Sequence, residues 1–275
     1  MVHGRFETLD DVIKLFPTNV ADVAKRVELA IEGAKKELKA IVSLKAEDRT
    51  FDNTVRALDT SGSGVRLIID DQSPGDITER VGEQEFRLSD HSFWQVHQSA
   101  PAVLSDAVTR AIDPERFFAD ADNADLYAGV GLLGRALADR VPEKVKLTAV
   151  ESDERALSYI EDNLSETADV DPIAQRVDRW ISAQARQRAG ESNPWSKATI
   201  VLDPPRSGAK SEVTNALVSL GAGQIVYVAC DPVALARDAG VLRQAGYEMA
   251  CLEAWDLFPH THHMETNATF VRGES

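Results

Sequence analysis

The chain has 275 residues, of which 45 are acidic and 30 basic, and its net charge of −15 argues against a broad basic surface for a polyanion. This length allows one large domain, or one domain with a small appendage. The longest apolar runs are too short to cross a bilayer. The two cysteines, Cys230 and Cys251, provide neither a disulfide framework nor a metal-ligand pattern. We therefore expect a cytoplasmic protein that binds no membrane and no metal.

The first sixty residues or so are predicted to form a separate helical unit. From Val20 to Leu44, apolar residues recur at spacings of three and four, which is typical of an amphipathic helix. Shorter helices are predicted over 10–16 and 52–58. A short run of alternating serine and glycine follows. We place a boundary there, between a helical appendage (1–62) and a main domain (63–275).

The main domain is predicted to begin with strands at Val65–Asp70 and Glu85–Leu88 and a helix at Ala102–Ala111. A regular alternation of strands and helices then follows. Further strands are predicted over Ala124–Tyr127, Lys146–Val150, Thr199–Leu202, Gln224–Val228 and Glu248–Trp255. Further helices are predicted over Leu132–Arg140, Glu154–Leu164, Glu212–Leu220 and Pro232–Ala245. Such alternation is typical of an open, mostly parallel α/β sheet.

A glycine-rich segment, Asp125-Leu-Tyr-Ala-Gly-Val-Gly-Leu-Leu-Gly134, lies between a predicted strand and a predicted helix. Its G-x-G-x-x-G spacing in this context predicts a turn at which a nucleotide cofactor approaches the backbone. Glu151 follows about twenty residues later, at the end of the next strand, where a carboxylate can accept both hydroxyls of a ribose. This layout fits a nicotinamide dinucleotide and S-adenosylmethionine equally well.

Two later segments add reactive groups to this sheet. Leu202-Asp-Pro-Pro-Arg206 carries Asp203 on a loop stiffened by prolines, and Val228-Ala-Cys-Asp-Pro232 carries Cys230 at the end of an apolar strand. A lone cysteine at a strand end is more often a small buried apolar residue, which is our interpretation of Cys251. In the Cys-x-Pro context, Cys230 is instead a candidate nucleophile.

Five segments in this order resemble the RNA uracil-C5 methyltransferase family, the S-adenosylmethionine-dependent enzymes that make 5-methyluridine in tRNA and rRNA. The segments are Phe93–Gln98, Asp125–Gly134, Leu202–Gly208, Ile225–Pro232 and Asp256–Glu265. The most specific are Asp-Pro-Pro-Arg-x-Gly, Tyr-Val-x-Cys-x-Pro-x-x-Leu-Ala-Arg-Asp and Asp-x-Phe-Pro-His-Thr-x-His-x-Glu. The resemblance covers residues 65–272. It implies a Rossmann-like class I methyltransferase domain, with S-adenosylmethionine as cofactor and a looped or single-stranded uridine in tRNA or rRNA as substrate.

The resemblance also implies where the cofactor binds. Glu151 is expected to hold the ribose hydroxyls and Asp178 to lie near the adenine. The implied cofactor contacts as a whole are Gln95, Tyr127, Gly129, Gly131, Leu132, Glu151, Asp178 and Asp203.

For the chemistry, the resemblance implies that Cys230 is the nucleophile and Glu265 the general base. Asp203 is expected to act between the cofactor and the target base. Arg206 is expected to balance enolate charge or to hold phosphate. The aromatic pair Phe93-Trp94, of which Phe93 is the candidate substrate contact, stacks on the base or the cofactor or packs in the core; the sequence leaves both interpretations open.

The chain also departs from the family pattern. Family members usually carry an N-terminal RNA-binding β-barrel, and some carry a cysteine-ligated iron–sulfur cluster; we expect neither here. Asp231 stands where asparagine is common, and its charge is expected to disfavour the Cys230 thiolate. Two alternatives therefore stay open. One is an amino-group methyltransferase, and the other is a methyltransferase domain that binds cofactor without methylating RNA. The sequence leaves the oligomeric state open.

Overall fold

A computed structural model describes residues 75–95, 97–187, 193–258 and 263–273 of the protein, together with four strands that precede them. The chain divides into two compact units, Met1–Glu85 and Phe86–Ser275. The predicted boundary between residues 62 and 63 lies outside the described residues and stays a prediction.

The first unit contains a four-stranded sheet in the order β2-β3-β1-β4, with every pair antiparallel. Its strands are β1 (Val2–Gly4), β2 (Ala24–Glu32), β3 (Glu37–Leu44) and β4 (Arg66–Leu67). Two further strands, β5 (Asp76–Val81) and β6 (Gln84–Ser89), follow, and the boundary between the units falls within β6.

The helix predicted from Val20 to Leu44 is wrong, because β2 and β3 pair as an antiparallel hairpin over most of this stretch. The sequence holds two competing periods. Val27 and Ile31 are one helical turn apart, but Val27, Leu29 and Ile31 also alternate with other residues at the period of a strand. The helices predicted over 10–16 and 52–58 lie outside the described residues.

The second unit is built on a seven-stranded sheet in the order β12-β13-β11-β10-β7-β8-β9. Its strands are β7 (Asn123–Leu126), β8 (Val145–Glu151), β9 (Ala168–Ala174), β10 (Thr199–Leu202), β11 (Gln224–Ala229), β12 (Tyr247–Trp255) and β13 (Glu265–Arg272). Neighbouring strands from β9 to β11 run parallel, whereas β13 is antiparallel to both β11 and β12.

Helices connect these strands. They are α1 (Ala100–Ala111), α2 (Leu132–Ala138), α3 (Glu154–Leu157), α4 (Ile160–Leu164), α5 (Val177–Gln187), α6 (Lys210–Leu220) and α7 (Pro232–Gln244). A short 3₁₀ helix, Pro194–Lys197, precedes β10. The predicted α/β class and its mostly parallel sheet are confirmed.

Some elements differ from the prediction. The helix predicted over Glu154–Leu164 is two short helices, and β5, β9, α5 and β13 are absent from the prediction. Strand β9 combines two aspartates with Pro172, which is unusual inside a sheet and is tolerated because β9 is an edge strand. Its sequence therefore lacks the apolar pattern of a strand.

The central strands β7, β10 and β11 are buried along their whole length. Strands that are covered on both faces read as continuous apolar runs, which is why they could be predicted. From β7 the chain proceeds to β8 and β9 on one side and later to β10 and β11 on the other. In open α/β sheets such a reversal of strand order opens a crevice at the carboxyl ends of the strands, where ligands bind. No helix in the described part of the chain could span a membrane.

The packing of α2 against strands β7 and β8 can be tested at Gly134. A Cβ atom there would lie 2.8 Å from Asp125 Oδ2 and 3.1 Å from a methyl group of Leu147. We expect Gly134→Ala to lower the free energy of unfolding by about 1–3 kcal/mol, since overpacking forces neighbours to shift. Urea denaturation measures this change.

Gly240→Ala on α7 is the matched control, because a Cβ atom there meets nothing within 4 Å. In an open helical position alanine is favoured over glycine by roughly 0.5–1 kcal/mol. Equal effects at the two positions would contradict the close packing of Gly134.

Candidate active site

The glycine turn after β7 bends sharply. Tyr127, Gly129 and Gly131 all have positive φ angles, of 65°, 55° and 94°. The amides of Tyr127 and Ala128 both donate to the Val150 carbonyl oxygen, at 3.0 and 3.1 Å, which ties the turn to the end of β8. A left-handed conformation suits glycine and is rare for a bulky residue such as tyrosine, so Tyr127 is held there by its surroundings.

Glu151, the last residue of β8, lies against this turn. Its Oε2 accepts a hydrogen bond from the Gly129 amide at 3.0 Å. Its Oε1 accepts from the amides of Ser152 and Asp153, at 2.6 and 2.9 Å, and from the Ser152 hydroxyl at 3.1 Å. The carboxylate predicted to hold a ribose is thus fixed beside the glycine turn.

Two cavities share Tyr127, Glu151 and Pro205 as lining residues. The first, of about 460 Å³, we name the Cys230 cavity, and the second, of about 420 Å³, the Asp178 cavity. Nine predicted site residues line the Cys230 cavity: Phe93, Gln95, Tyr127, Gly129, Glu151, Asp203, Arg206, Cys230 and Glu265. Asp178 lines the other cavity. Of the predicted residues, Gly131 and Leu132 line neither, since Leu132 is buried at the start of α2 and Gly131 caps that helix.

The register of the sheet brings Cys230 and Glu265 together. On the antiparallel pair β11 and β13, Ala229 lies opposite Thr266. The next residue along one strand is Cys230, and the preceding residue on the other is Glu265, so these two side chains are neighbours at the end of the ladder. Both line the Cys230 cavity. A thiol and a carboxyl group therefore share one wall.

Burial dominates the electrostatics of the carboxyl groups here. It raises the pKa of Asp203 to about 7. A hydrogen bond that Gln95 Nε2 donates to Asp203 Oδ2 at 3.5 Å acts in the opposite direction and lowers this pKa. Burial also raises the pKa of Glu265, which is 3% exposed, to about 8, and the nearby Asp203 charge acts in the same direction. At neutral pH Glu265 is therefore mostly protonated and Asp203 partly so, because a buried carboxylate loses its hydration.

Asp125 is a third member of this carboxyl cluster and is absent from the predicted site residues. Burial raises its pKa to about 7, with further contributions from the charges of Asp203 and Glu151 and an opposing one from the Gly134 amide. The signal was its place as the first residue of the glycine segment, at the end of a buried strand.

The Cys230 thiol is half-buried, and its pKa is raised by burial first and then by the charges of Glu265 and Asp203, whereas Arg206 lowers it. The neighbouring Asp231 carboxylate, which is expected to disfavour the thiolate, has a second role. It accepts hydrogen bonds from the amides of Val233 and Ala234, at 2.8 and 3.0 Å, and so caps α7. Its charge also stabilises the helix N-terminus.

The Asp178 cavity presents an ionised acceptor. A hydrogen bond from the Arg176 guanidinium lowers the pKa of Asp178, and the Arg179 amide donates to the same carboxylate at 2.9 Å. The pKa of Tyr127, which lines both cavities, is raised to about 12 by burial. Tyr127 therefore keeps its proton and can donate a hydrogen bond.

The aromatic pair Phe93-Trp94 divides between two environments. The ring of Trp94 packs on Phe86, with 5.6 Å between ring centroids. Phe93 is 68% exposed and lines the Cys230 cavity. Of the two interpretations, core packing thus describes Trp94 rather than Phe93.

Comparisons with known proteins agree with this architecture. The fold is that of the Rossmann-like α/β methyltransferases. The model of the tRNA (uracil-5-)-methyltransferase family matches residues 67–272, and the chain belongs to that family. The predicted resemblance is therefore confirmed.

Among bacterial relatives, an uncharacterised RNA methyltransferase of Streptomyces avermitilis is 42% identical over 190 residues, which cover 69% of this chain and 41% of the relative. One of Bifidobacterium longum is 36% identical, covering 68% of this chain and 42% of the relative. The region that matches this chain is about two fifths of the length of each of these relatives.

Among solved structures, the Pyrococcus abyssi tRNA (uracil-54, C5)-methyltransferase in complex with S-adenosyl-L-homocysteine superposes with a TM-score of 0.58. It is 24% identical, and the match covers 87% of this chain and 58% of that one. The Pyrococcus horikoshii protein TYW2, in complex with MeSAdo, superposes with a TM-score of 0.54 at 11% identity, covering 98% of this chain and 96% of that one. Both likenesses concern the fold.

Because the pKa of Glu265 is raised from 4.5 to about 8, the folded state binds a proton that the unfolded state has lost. The free energy of unfolding should therefore fall as the pH rises through this window. We expect Glu265→Gln to make the fall shallower, since the amide does not titrate. Urea denaturation at several pH values measures the slope.

Glu248→Gln, at an exposed position on β12, is the control and should keep the wild-type slope. A wild-type protein whose stability rises between pH 5 and pH 8, roughly the titration range of buried carboxyl groups, would contradict the assignment.

Proposed function

We propose that this protein transfers a methyl group from S-adenosylmethionine to carbon 5 of a uridine in tRNA or rRNA, through a covalent adduct between Cys230 and carbon 6. The observation that carries the proposal is the shared cavity of Cys230, Glu265, Asp203 and Arg206. It adjoins the Asp178 cavity through Tyr127 and Glu151.

The described residues fit S-adenosylmethionine, which supplies an electrophilic methyl group on a sulfonium. Glu151 offers a fixed carboxylate for a ribose hydroxyl, and Asp178 offers an acceptor for the adenine amino group. Asp125 and Asp203 are buried acids whose ionised forms a bound cation favours. A positively charged ligand therefore suits this end of the sheet.

Carbon 5 of uracil is a weak nucleophile, and Cys230 is suited to activate it. As the thiol proton leaves to a neighbouring carboxylate or to water, sulfur bonds to carbon 6 and the electron pair moves to an enolate at oxygen 4. Arg206, which already lowers the pKa of Cys230, offsets negative charge at this wall of the cavity. The enolate makes carbon 5 reactive toward the methyl group.

Glu265 is suited to complete the reaction. After carbon 5 is methylated, a carboxylate must take its remaining proton, so that the double bond re-forms and the sulfur–carbon 6 bond breaks to release Cys230. A general base is most effective when its pKa lies near the working pH, and the pKa of Glu265 is about 8. Its position next to Cys230 at the end of the β11–β13 ladder supports this role.

The target uridine must leave its stack to enter such a cavity, which favours a looped or single-stranded RNA. The exposed ring of Phe93 at the cavity wall offers a face on which a base can stack. An amino-group methyltransferase needs no nucleophile, so the pairing of Cys230 with Glu265 favours the uridine reaction.

The cofactor site can be tested at Glu151. Hydrogen bonds to a charged group are worth roughly 1.5–3 kcal/mol, so Glu151→Ala should weaken S-adenosylmethionine binding by about 10- to 100-fold. Isothermal titration calorimetry measures the dissociation constant. Glu161→Ala, at an exposed position on α4, should bind as the wild type does. Unchanged affinity in the Glu151 variant would remove it from the site, and tight binding of NAD would overturn the proposal.

The covalent step can be tested by separating Cys230 from Glu265. Cys230→Ala should abolish turnover and form no adduct. Glu265→Gln keeps the nucleophile, so a methylated adduct should accumulate while turnover falls by about 10²–10⁴-fold. RNA with 5-fluorouridine should trap the wild type, because fluorine cannot leave as a proton. Mass spectrometry of the trapped complex locates the bond.

Cys251 was predicted to be buried, but it is exposed on β12, which corrects that interpretation. Cys251→Ala is therefore the matched control and should retain activity. An adduct on Cys251, or full activity without Cys230, is incompatible with the proposed mechanism.

A further inference from the structure

Three side chains hold the loop between β10 and α6, and we name them the loop network: Tyr227, Arg237 and Asp238. The Ala209 amide of the loop donates to Tyr227 Oη and to Asp238 Oδ2, both at 2.9 Å. The Tyr227 hydroxyl donates to Asp238 Oδ2 at 2.8 Å. Arg237 Nη2 donates to the Ser207 carbonyl at 2.9 Å, and its Nε donates to Asp238 Oδ1 at 2.9 Å.

Gly208 shows how closely the loop lies on this network. Its φ angle is +76°, and a Cβ atom there would lie 2.5 Å from Arg237 Nη2 and 2.6 Å from Asp238 Oδ2. The Gly208 amide donates to the Pro205 carbonyl at 2.7 Å, which closes a tight turn. The turn therefore packs directly against the side chains of Arg237 and Asp238, with no space for a larger residue at position 208.

The network comes from the two elements that flank Cys230. Tyr227 lies on β11, three residues before the thiol, and Arg237 and Asp238 lie on α7, which begins two residues after it. The loop that these side chains hold carries Asp203 and Arg206. The same contacts therefore link the strand–helix junction at Cys230 to the junction at Asp203.

From this geometry we infer that Tyr227, Arg237 and Asp238 are positioning residues that fix Asp203 and Arg206 relative to Cys230. The inference rests on the proposed function for its catalytic meaning. The structural part of the inference does not depend on that function, because it concerns the pKa of the Cys230 thiol, which Asp203 raises and Arg206 lowers. A loop that moves must change the charge that the thiol experiences.

Two members of the network are shielded from water. Tyr227 and Asp238 are 0% and 1% exposed, so neither exchanges its partner for water easily. Burial raises the pKa of Tyr227, and the hydroxyl thus stays a donor to Asp238. Removing this hydroxyl leaves the ring in place but frees the loop from one of its three anchors.

The test is Tyr227→Phe with Tyr247→Phe as its matched control. Tyr247 is also buried, and its hydroxyl donates to the Ala222 carbonyl at 2.9 Å, on the edge strand β12 away from the loop. Because small misplacements of reacting groups cost much rate, we expect kcat to fall by about 10²-fold in Tyr227→Phe alone. The melting temperature and the S-adenosylmethionine dissociation constant should match those of the control.

Arg237→Gln provides a second variant whose folding is easier to preserve, because the Arg237 side chain is 53% exposed. It removes the contact to Ser207 and should lower kcat in the same direction, whereas Arg237→Lys should recover part of it. Equal kcat values in Tyr227→Phe, Arg237→Gln and the Tyr247→Phe control would overturn the inference.

A readout without RNA separates this inference from the proposed function. In a Cys251→Ser background, the rate of iodoacetamide alkylation against pH reports the pKa of Cys230. We expect this profile to shift in Tyr227→Phe and to stay unchanged in Tyr247→Phe. If the wild type methylates no uridine but the profile shifts, the positioning role stands and the uridine chemistry fails. If the wild type is active but Tyr227→Phe behaves as the control in both assays, the positioning role fails alone.

Discussion

The parallel pairing of β7 with β10 is the contact on which the candidate site depends. Its register places Leu126 opposite Leu202, so the next residues, Tyr127 and Asp203, leave the sheet side by side. The Asp203 amide donates to the Leu126 carbonyl at 3.3 Å and extends the ladder by one step. A slip of one residue in this pairing would turn Asp203 to the opposite face of the sheet. The glycine turn and the proline loop meet because two buried strands end level with each other.

Burial of carboxyl groups at this edge is the second constraint. Asp125, Asp203 and Glu265 lie where ionisation is costly, because a carboxylate without its hydration is unfavourable unless a cation or donors compensate it. The protein meets this cost by retaining protons. A cationic group bound among them favours the ionised forms, so cation binding and proton release are thermodynamically linked.

The α/β class and the central strands could be predicted because fully buried strands such as β11 (Gln224–Ala229) have an almost continuous apolar pattern. The glycine turn and its partner Glu151 could also be predicted, since the chemistry lies in a local spacing. The position of Glu265 beside Cys230 depends on a strand register across the sheet, which local sequence does not encode. Only the family resemblance pointed to Glu265.

Other features of the structure could not be predicted from the sequence, also for physical reasons. The β2–β3 hairpin was mistaken for a helix because its apolar residues fit both periods. Tyr227 and Asp238 are the first and last residues of the motif around Cys230. Their contact with Ala209 exists only once a strand, a helix and a loop come together. The hydrogen bonds by which Asp231 caps α7 depend on side-chain direction, which adjacency to Cys230 in the sequence does not give.

The hydrogen bonds of Glu151 have a consequence for how a ligand meets this carboxylate. A carboxylate oxygen has about two lone pairs, and Oε1 already accepts from two amides and a hydroxyl, whereas Oε2 accepts from the Gly129 amide. The remaining acceptor capacity therefore lies on Oε2, in a direction that the backbone has set. The rotameric entropy of this side chain is lost on folding rather than on binding, so a hydroxyl group of a ligand meets a preorganised acceptor.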